Sequence, residues 1–394
     1  MRKKIIYISL LIMMYGVNIS AQNSMDNILL EVAKNNKAIL ANKQYWQAKK
    51  VSYKSGLNPS NPKVEYEFLN GSPATAGNQT DIFILQEFDF PTAYIKKNQM
   101  ANEQIGKIEF EERKFRQEVL LTTKQLCIDL VFLGKRKIEL EKRLTLAEKL
   151  YDAFKLKLEN GDANSIEVSK ANLLLIGLRN ELRLNTSNIN QNYQKLVELN
   201  GGKDLDYVEL NYPIISELPD FKVLEEEIEK QDPVLNSYRQ DKEIVQKKIE
   251  VNRAMTFPKI EGGYHSQKIL GQSFQGVHVG ITIPLWEGKN SVKHQKEQLT
   301  FTEFLIDDHT TEHYYEIKQL YDKVQSLGLT LNEYEKVMES FADNALINKS
   351  FELGEISSIE YFAELNYFYS TLDDYLSIEK EYFIAYSKLF RHKL

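Results

Sequence analysis

The stretch at residues 257–288 runs FPKIEGGYHSQKILGQSFQGVHVGITIPLWEG. Pro258 and Pro284 bracket it. Between them, two runs of about ten residues alternate with period two, the pattern of a strand with two unlike faces. In the second run Val277, Val279, Ile281, Ile283 and Leu285 fall on one face, with His278, Gly280 and Thr282 on the other. In the first, Ile260, Gly262 and Tyr264 oppose Lys259, Glu261, His265 and Gln267. Strands of this length suit a tilted membrane-spanning β-strand, and equally a hairpin of a soluble sandwich.

The stretch occurs twice, which favours the first reading. Residues 61–92 read NPKVEYEFLNGSPATAGNQTDIFILQEFDFPT, so that Pro62-Lys63-Val64-Glu65 answers Pro258-Lys259-Ile260-Glu261 and Pro91 answers Pro284. Further on, Gly161-Asp162-Ala163-Asn164-Ser165-Ile166-Glu167 answers Gly354-Glu355-Ile356-Ser357-Ser358-Ile359-Glu360. Pro91 precedes Gly161 by 70 residues, and Pro284 precedes Gly354 by the same 70. The chain is two copies of one plan, an internal repeat that sets the architecture.

Outward from the strands, the repeats predict their helices. Residues 92–160 contain no proline, and Leu140, Leu144, Ala147, Tyr151, Phe154 and Leu158 form a heptad seam. Leu327, Leu331, Tyr334, Met338, Phe341 and Ala345 do the same in the second copy. A helix of this length rises about 100 Å, more than a single compact domain of this size contains. Gly161 and Gly354 mark reversals at helical tips, and Asn164 or Ser165, and Ser357 or Ser358, cap the returning helices. A short helix precedes each strand pair. Asp232-Pro233 nicks the second of these, and Asn35-Asn36 holds the matching place in the first. The expected layout is a signal peptide over 1–21, a first repeat over 22–202 with strands near 62–70 and 80–90, and a connector over 203–220. A second repeat over 221–394 has strands near 258–268 and 276–286.

Composition narrows the class. Charged residues make up 27% of the 394, the net charge is −6 and no basic tract is interleaved with aromatics, which argues against a nucleic-acid partner. Arg2, Lys3 and Lys4, an apolar run over 5–17 and a small residue at Ala21 read as a secretory signal. No later segment reaches the roughly 18 apolar residues of a transmembrane helix. The lone cysteine, Cys127, excludes an intramolecular disulfide. Four strands cannot close a barrel, and open edges are not tolerated in lipid, so other subunits must complete the sheet.

With these elements in order, the chain resembles the TolC family of outer-membrane efflux channels. The resemblance rests on the NPK and FPK strand starts, Asp89-Phe90-Pro91, and Ile283-Pro284-Leu285-Trp286-Glu287-Gly288. It rests also on the two tip motifs and on the Leu196-Val197-Glu198-Leu199-Asn200-Gly201 ending, and it covers nearly all of the mature chain. The second hairpin is most similar to the heavy-metal-efflux branch. The resemblance implies a mainly α fold with a small β part. Long antiparallel helices would form a trimeric α-barrel in the periplasm, continued by a twelve-stranded transmembrane β-barrel with four strands per protomer. It implies a homotrimer in outer-membrane lipid, a periplasmic adaptor and an inner-membrane pump of the resistance-nodulation-division class. The tips, Gly161, Asp162, Ser165, Gly354, Glu355 and Ser358, would dock the adaptor. Glu167 and Glu360 would constrict the closed periplasmic end. Drug or solute efflux and type I secretion are other duties of such a duct, and a structural periplasmic coiled-coil protein is the reading outside the class.

No phosphate loop, His-Glu-x-x-His or nucleophile elbow is present, and no cofactor or enzyme activity is expected. His309 and His313, four apart on a helix, are the one candidate metal pair, against the alternative of a solvated polar face. Glu167 and Glu360 also suit the N-terminal turn of a helix, where the macrodipole favours a carboxylate. His265, His278 and His294 are read as lumen-facing or interfacial side chains.

Overall fold

The structure is a computed structural model and describes residues 23–205, 211–215, 217–286, 288–340 and 345–394. The expected signal peptide lies outside the described residues, as do Glu287, Phe341 and part of the connector. In chain order the elements are α1 Asn23–Asn35, α2 Lys37–Lys54, β1 Lys63–Leu69, β2 Gln79–Phe88, α3 Pro91–Glu159 and α4 Ser165–Leu199. The second half repeats them as α5 Phe221–Gln231, α6 Pro233–Ala254, β3 Lys259–Ile269, β4 Gln272–Thr282, α7 Ser291–Ser340, α8 Ala345–Glu352 and α9 Ser358–Leu389. The chain divides into two compact units, the first built from residues up to Leu40, Phe115–Ile228 and Tyr314–Leu394, the second from Ala41–Lys114 and Glu229–His313.

The first unit is helical. Met25, Ile28, Leu29 and Val32 of α1 pack against Leu120, Cys127, Ile128 and Val131 of α3 and Leu196 of α4. Leu224 and Ile228 of α5 meet Ile317 and Val324 of α7 and Ala385 and Leu389 of α9 in the equivalent cluster of the second repeat. Each Leu, Ile, Val and Met among them contributes about 1.5–3 kcal/mol by leaving water. Burial pushes the Cys127 thiol up to about 12, so it serves as a small apolar residue. The heptad seam is realised: Leu140 and Ala147 pack on Leu175 and Leu178, and Phe154 on Ala171, Tyr361 and Leu365. Arg143 is buried there, forked onto both Asp373 oxygens at 2.7 and 3.0 Å.

The second unit contains one four-stranded antiparallel sheet in the order β1-β2-β3-β4. The two hairpins join through β2 and β3, with Phe83 opposite His265 and Asp81 opposite Gln267. β4 begins at Gln272 and stops at Thr282, earlier at both ends than the alternation suggested. Pro284 has no N–H for a ladder, so the strand ends before it, and Ile283 and Leu285 lie beyond. At the other end the loop is reduced to Leu270-Gly271, both at positive φ (49° and 79°), the geometry of a tight I′ hairpin turn.

Helix punctuation follows the expected chemistry. Asn36 accepts the Ile39 amide at 2.9 Å and opens α2. Asp232 accepts the Val234 amide at 2.9 Å and opens α6, with Pro233 in the first turn.

Candidate functional site

Cross-strand partners share a face, so the register assigns every strand residue. Val64, Tyr66, Phe68, Ile82, Ile84, Phe88, Ile260, Tyr264, Val277, Val279 and Ile281 all fall on one face. All are exposed, Val277 at 84% and Val279 at 72%. Thr80, Gln86, Ser266, Lys268, Ser273 and Gln275 share this face, and apart from Gln86 they lie toward its hairpin-loop end. An exposed apolar patch of this extent calls for lipid or protein against it. The opposite face carries Lys63, Glu65, Glu67, Asp81, Glu87, Lys259, Glu261, His265 and His278, with Phe83 and Leu85 among them. Its lysines have carboxylate partners: Lys63 pairs with Glu65, and Lys259 with Glu87 at 3.4 Å. Its histidines do too, His265 Nε2 lying 2.8 Å from Asp81 Oδ1 and His278 Nε2 3.0 Å from Glu261 Oε1. Among the described residues no strand of the protomer lies beside the outer edges of β1 and β4.

The helical tips are two copies of one device. The Gly161 amide donates to Leu158 O and the Asp162 amide to Lys157 O, at 3.1 and 2.8 Å. Gly354 donates to Phe351 O and Glu355 to Ser350 O, at 3.1 and 2.9 Å. These are Schellman motifs, which need a left-handed residue at the crossing position, and Gly161 (φ 80°) and Gly354 (φ 74°) supply it. The returning helices are capped by Asn164 and Ser357; Ser165 and Ser358 are the first helical residues. Glu167 and Glu360 complete the capping boxes, accepting the Asn164 amide at 2.9 Å and the Ser357 amide at 2.8 Å. The Asn164 amide, and next the Ser358 hydroxyl, hold the Glu167 carboxyl below its ordinary value. The Ser357 amide and hydroxyl do the same for Glu360. The helix-terminal role is thus present at both positions. Beside the second tip lies an apolar cleft of about 490 Å³ lined by Val337, Leu346, Ile347, Ile356, Tyr367 and Phe368.

Lowered carboxyl values fix a sign. Stability gained at Glu167 and Glu360 is full above the ordinary carboxylate value and is lost as pH falls through the lowered one. Amide exchange in the first turns of α4 and α9 is expected to accelerate on acidification below about pH 4, relative to the middles of the same helices. Equal acceleration along both helices would contradict the capping assignment.

His309 and His313 do not form a solvated face. Both turn inward onto Asp232, His309 Nε2 at 2.8 Å and His313 Nε2 at 3.7 Å from the same oxygen. The two rings lie nearly parallel, 5.4 Å apart, and Tyr238 meets His309 edge-on. Among the described residues no group of three or more histidine, cysteine or acidic side chains is arranged to hold a metal ion. The pair is a structural cluster at the α5–α6 break. The sequence offered His309 and His313 at helical spacing, but not their partner, 77 residues away.

No described helix is long and apolar enough to cross a membrane. No family model matches the chain, and no curated protein sequence matches it significantly. Solved structures share its fold. CusC, described in terms of transmembrane channel formation, superposes with a TM-score of 0.76 at 13% identity, over 94% of this chain and 92% of that one. The outer-membrane channel OprN superposes with a TM-score of 0.78 at 10% identity, covering 94% and 89%. The Campylobacter jejuni CmeC outer membrane channel gives 0.76 at 15% identity, covering 94% and 85%. The protomer fold is that of these channels, as the resemblance read from the motifs implied.

Proposed function

We propose that three copies of this chain form an outer-membrane exit duct of a tripartite efflux system. The duct passively conducts cargo from an inner-membrane pump and periplasmic adaptor to the outside. The observation that carries this reading is the two-faced sheet: eleven large apolar side chains on one face, where Lys268 is the sole charged residue, carboxylates and lysines on the other, and open edges at β1 and β4. Joining β4 of one protomer to β1 of the next removes every edge and closes twelve strands, with the apolar face toward lipid and the polar face toward a lumen. The shared fold with outer-membrane channels supports it. The cargo we propose is heavy-metal cations, because the lumenal face carries Glu65, Glu67, Asp81, Glu87 and Glu261 against Lys63 and Lys259, and a ring of carboxylates favours cations. Deleting the gene should sensitise cells to divalent transition metals, with rescue by the intact gene. Unchanged tolerance to metals together with lost tolerance to uncharged drugs would overturn the cargo.

In this reading the tips are the docking surface for the adaptor. A side chain at Gly161 or Gly354 costs about 1 kcal/mol or more in the left-handed conformation. Gly161→Val, Gly354→Val, Asp162→Lys and Glu355→Lys should leave the trimer assembled and reduce cross-linking to the adaptor and resistance. Wild-type cross-linking in all four would place the contact elsewhere.

Glu167 and Glu360, six carboxylates per trimer, would form the acidic constriction at the closed end. Glutamine keeps an oxygen to accept the capping amide and removes only the charge. The double variant Glu167→Gln with Glu360→Gln should therefore keep helix stability and weaken block of the channel by multivalent cations in planar bilayers. Wild-type block in that variant would leave the residues with their capping role alone.

A further inference from the structure

The lumenal face of the sheet carries a feature that the duct reading does not by itself require. His265 and His278 sit on neighbouring strands at diagonal positions, since His265 is opposite Gly276 and His278 is opposite Gly263. Diagonal residues on one face are about 7 Å apart at the backbone, a span that two imidazoles cover together. Both rings border one cleft of about 270 Å³, also lined by Phe274 and Gly276.

The surroundings orient each ring. An ionised carboxylate only accepts hydrogen bonds, so Nε2 must carry the proton it gives to Asp81 or Glu261. In each neutral imidazole Nδ1 is then the unprotonated nitrogen with a lone pair to give. A carboxylate behind an imidazole is also what fixes and strengthens a histidine as a metal ligand. Phe83 stacks on His265 with ring centroids 4.0 Å apart and planes within 8°. Asp81 is itself held by Gln79 at 2.5 Å. Across the β3–β4 ladder each histidine faces a glycine, so between these two strands no facing side chain fills the space. At Gly263 none could, because a Cβ there would lie 2.3 Å from the Ile84 carbonyl oxygen.

We propose that His265 and His278 together bind a divalent first-row transition cation on the lumenal face, through their Nδ1 atoms, with Asp81 and Glu261 as the carboxylates that orient them. The assignment of this face to a lumen rests on the duct reading; the binding itself does not. Imidazole nitrogen suits such ions, while sodium, magnesium and calcium prefer oxygen. Two protein ligands per ion, with water completing the shell, make an open site. A conduit needs this, because binding must be strong enough to admit an ion and weak enough to release it. The site would serve cargo in transit, three times around a trimer.

The test is titration of the purified full-length chain in detergent with Zn²⁺ alone, followed by calorimetry, with assembly state and planar-bilayer conductance measured on the same samples. The wild type is expected to bind one Zn²⁺ per protomer in preference to Mg²⁺. Asp81→Asn, which leaves both imidazoles in place, should weaken binding about tenfold or more, and His265→Ala with His278→Ala should abolish it. Absence of Zn²⁺ binding by the wild type, or unchanged affinity and stoichiometry in the double variant, overturns the proposal. A chain that forms conducting trimers without binding Zn²⁺ overturns this site and leaves the duct. A chain that binds Zn²⁺ through these histidines but neither assembles nor conducts supports the site and overturns the duct.

Discussion

Val279→Arg is expected to cost the assembled protein about 2–4 kcal/mol, whereas Gln267→Arg and Thr282→Arg leave it folded. Val279 is 72% exposed in the protomer, so the substitution removes little packing within one chain. On a free protomer in water it would be nearly neutral. The cost arises only if that surface faces hydrocarbon, where a guanidinium must be dragged from water or must deform the bilayer around it. Gln267 and Thr282 lie on the opposite face and bracket Val279 along the strands, so they control for depth. Denaturant titration of trimers refolded into lipid bilayers reads the difference. Equal loss in all three variants, or none in any, would contradict the assignment of faces.

Asp232→Ala should destabilise the helical part of the second unit by about 3 kcal/mol or more. Asp232 is 3% exposed and serves three groups, the Val234 amide and the imidazoles of His309 and His313. Alanine removes the cap of α6 and leaves the buried His313 and the half-buried His309 without their shared anion. Burial alone would raise the Asp232 carboxyl, but hydrogen bonds from His309 and the Val234 amide outweigh it and hold the carboxyl below its ordinary value of 3.8. The stability it contributes is therefore full above that value and lost as pH falls through the lowered one. Asp232→Asn keeps an acceptor for the cap, so it should cost less than alanine while removing this part of the acid dependence. Unfolding of Asp232→Ala within about 0.5 kcal/mol of the wild type would mean that the cluster holds nothing together.

The long-range plan was legible because it was written twice. Proline-bracketed alternation at Pro258 and Pro62, and equal spacing to Gly354 and Gly161, placed strands and tips without any knowledge of packing. The nicks at Asn35-Asn36 and Asp232-Pro233 were legible because capping is local chemistry. What escaped depended on contacts between distant segments. That Asp81 meets His265 follows only from the pairing of β2 with β3, which no periodicity specifies. That His309 and His313 face inward depends on Asp232 on a different helix; their spacing was equally consistent with a wet face. At the strand ends, alternation continued through Ile283 and Leu285, but Pro284 stopped the ladder. Glu167 and Glu360 show the opposite case, where a functional and a structural role predict the same residue and the capping geometry exposes the structural one.

If three copies form the duct, β4 of one copy pairs with β1 of the next and the ring closes at three. A panel of double-cysteine variants, each combining Val64→Cys, Tyr66→Cys or Phe68→Cys on β1 with Val277→Cys, Val279→Cys or Ile281→Cys on β4, tests it most directly. Oxidation in isolated outer membranes should give, for the pairs in register, a ladder of monomer, dimer and trimer that stops at three, because a closed ring has no free edge left to join. Monomer alone throughout the panel, or a ladder that continues past three, would rule out a closed ring of three.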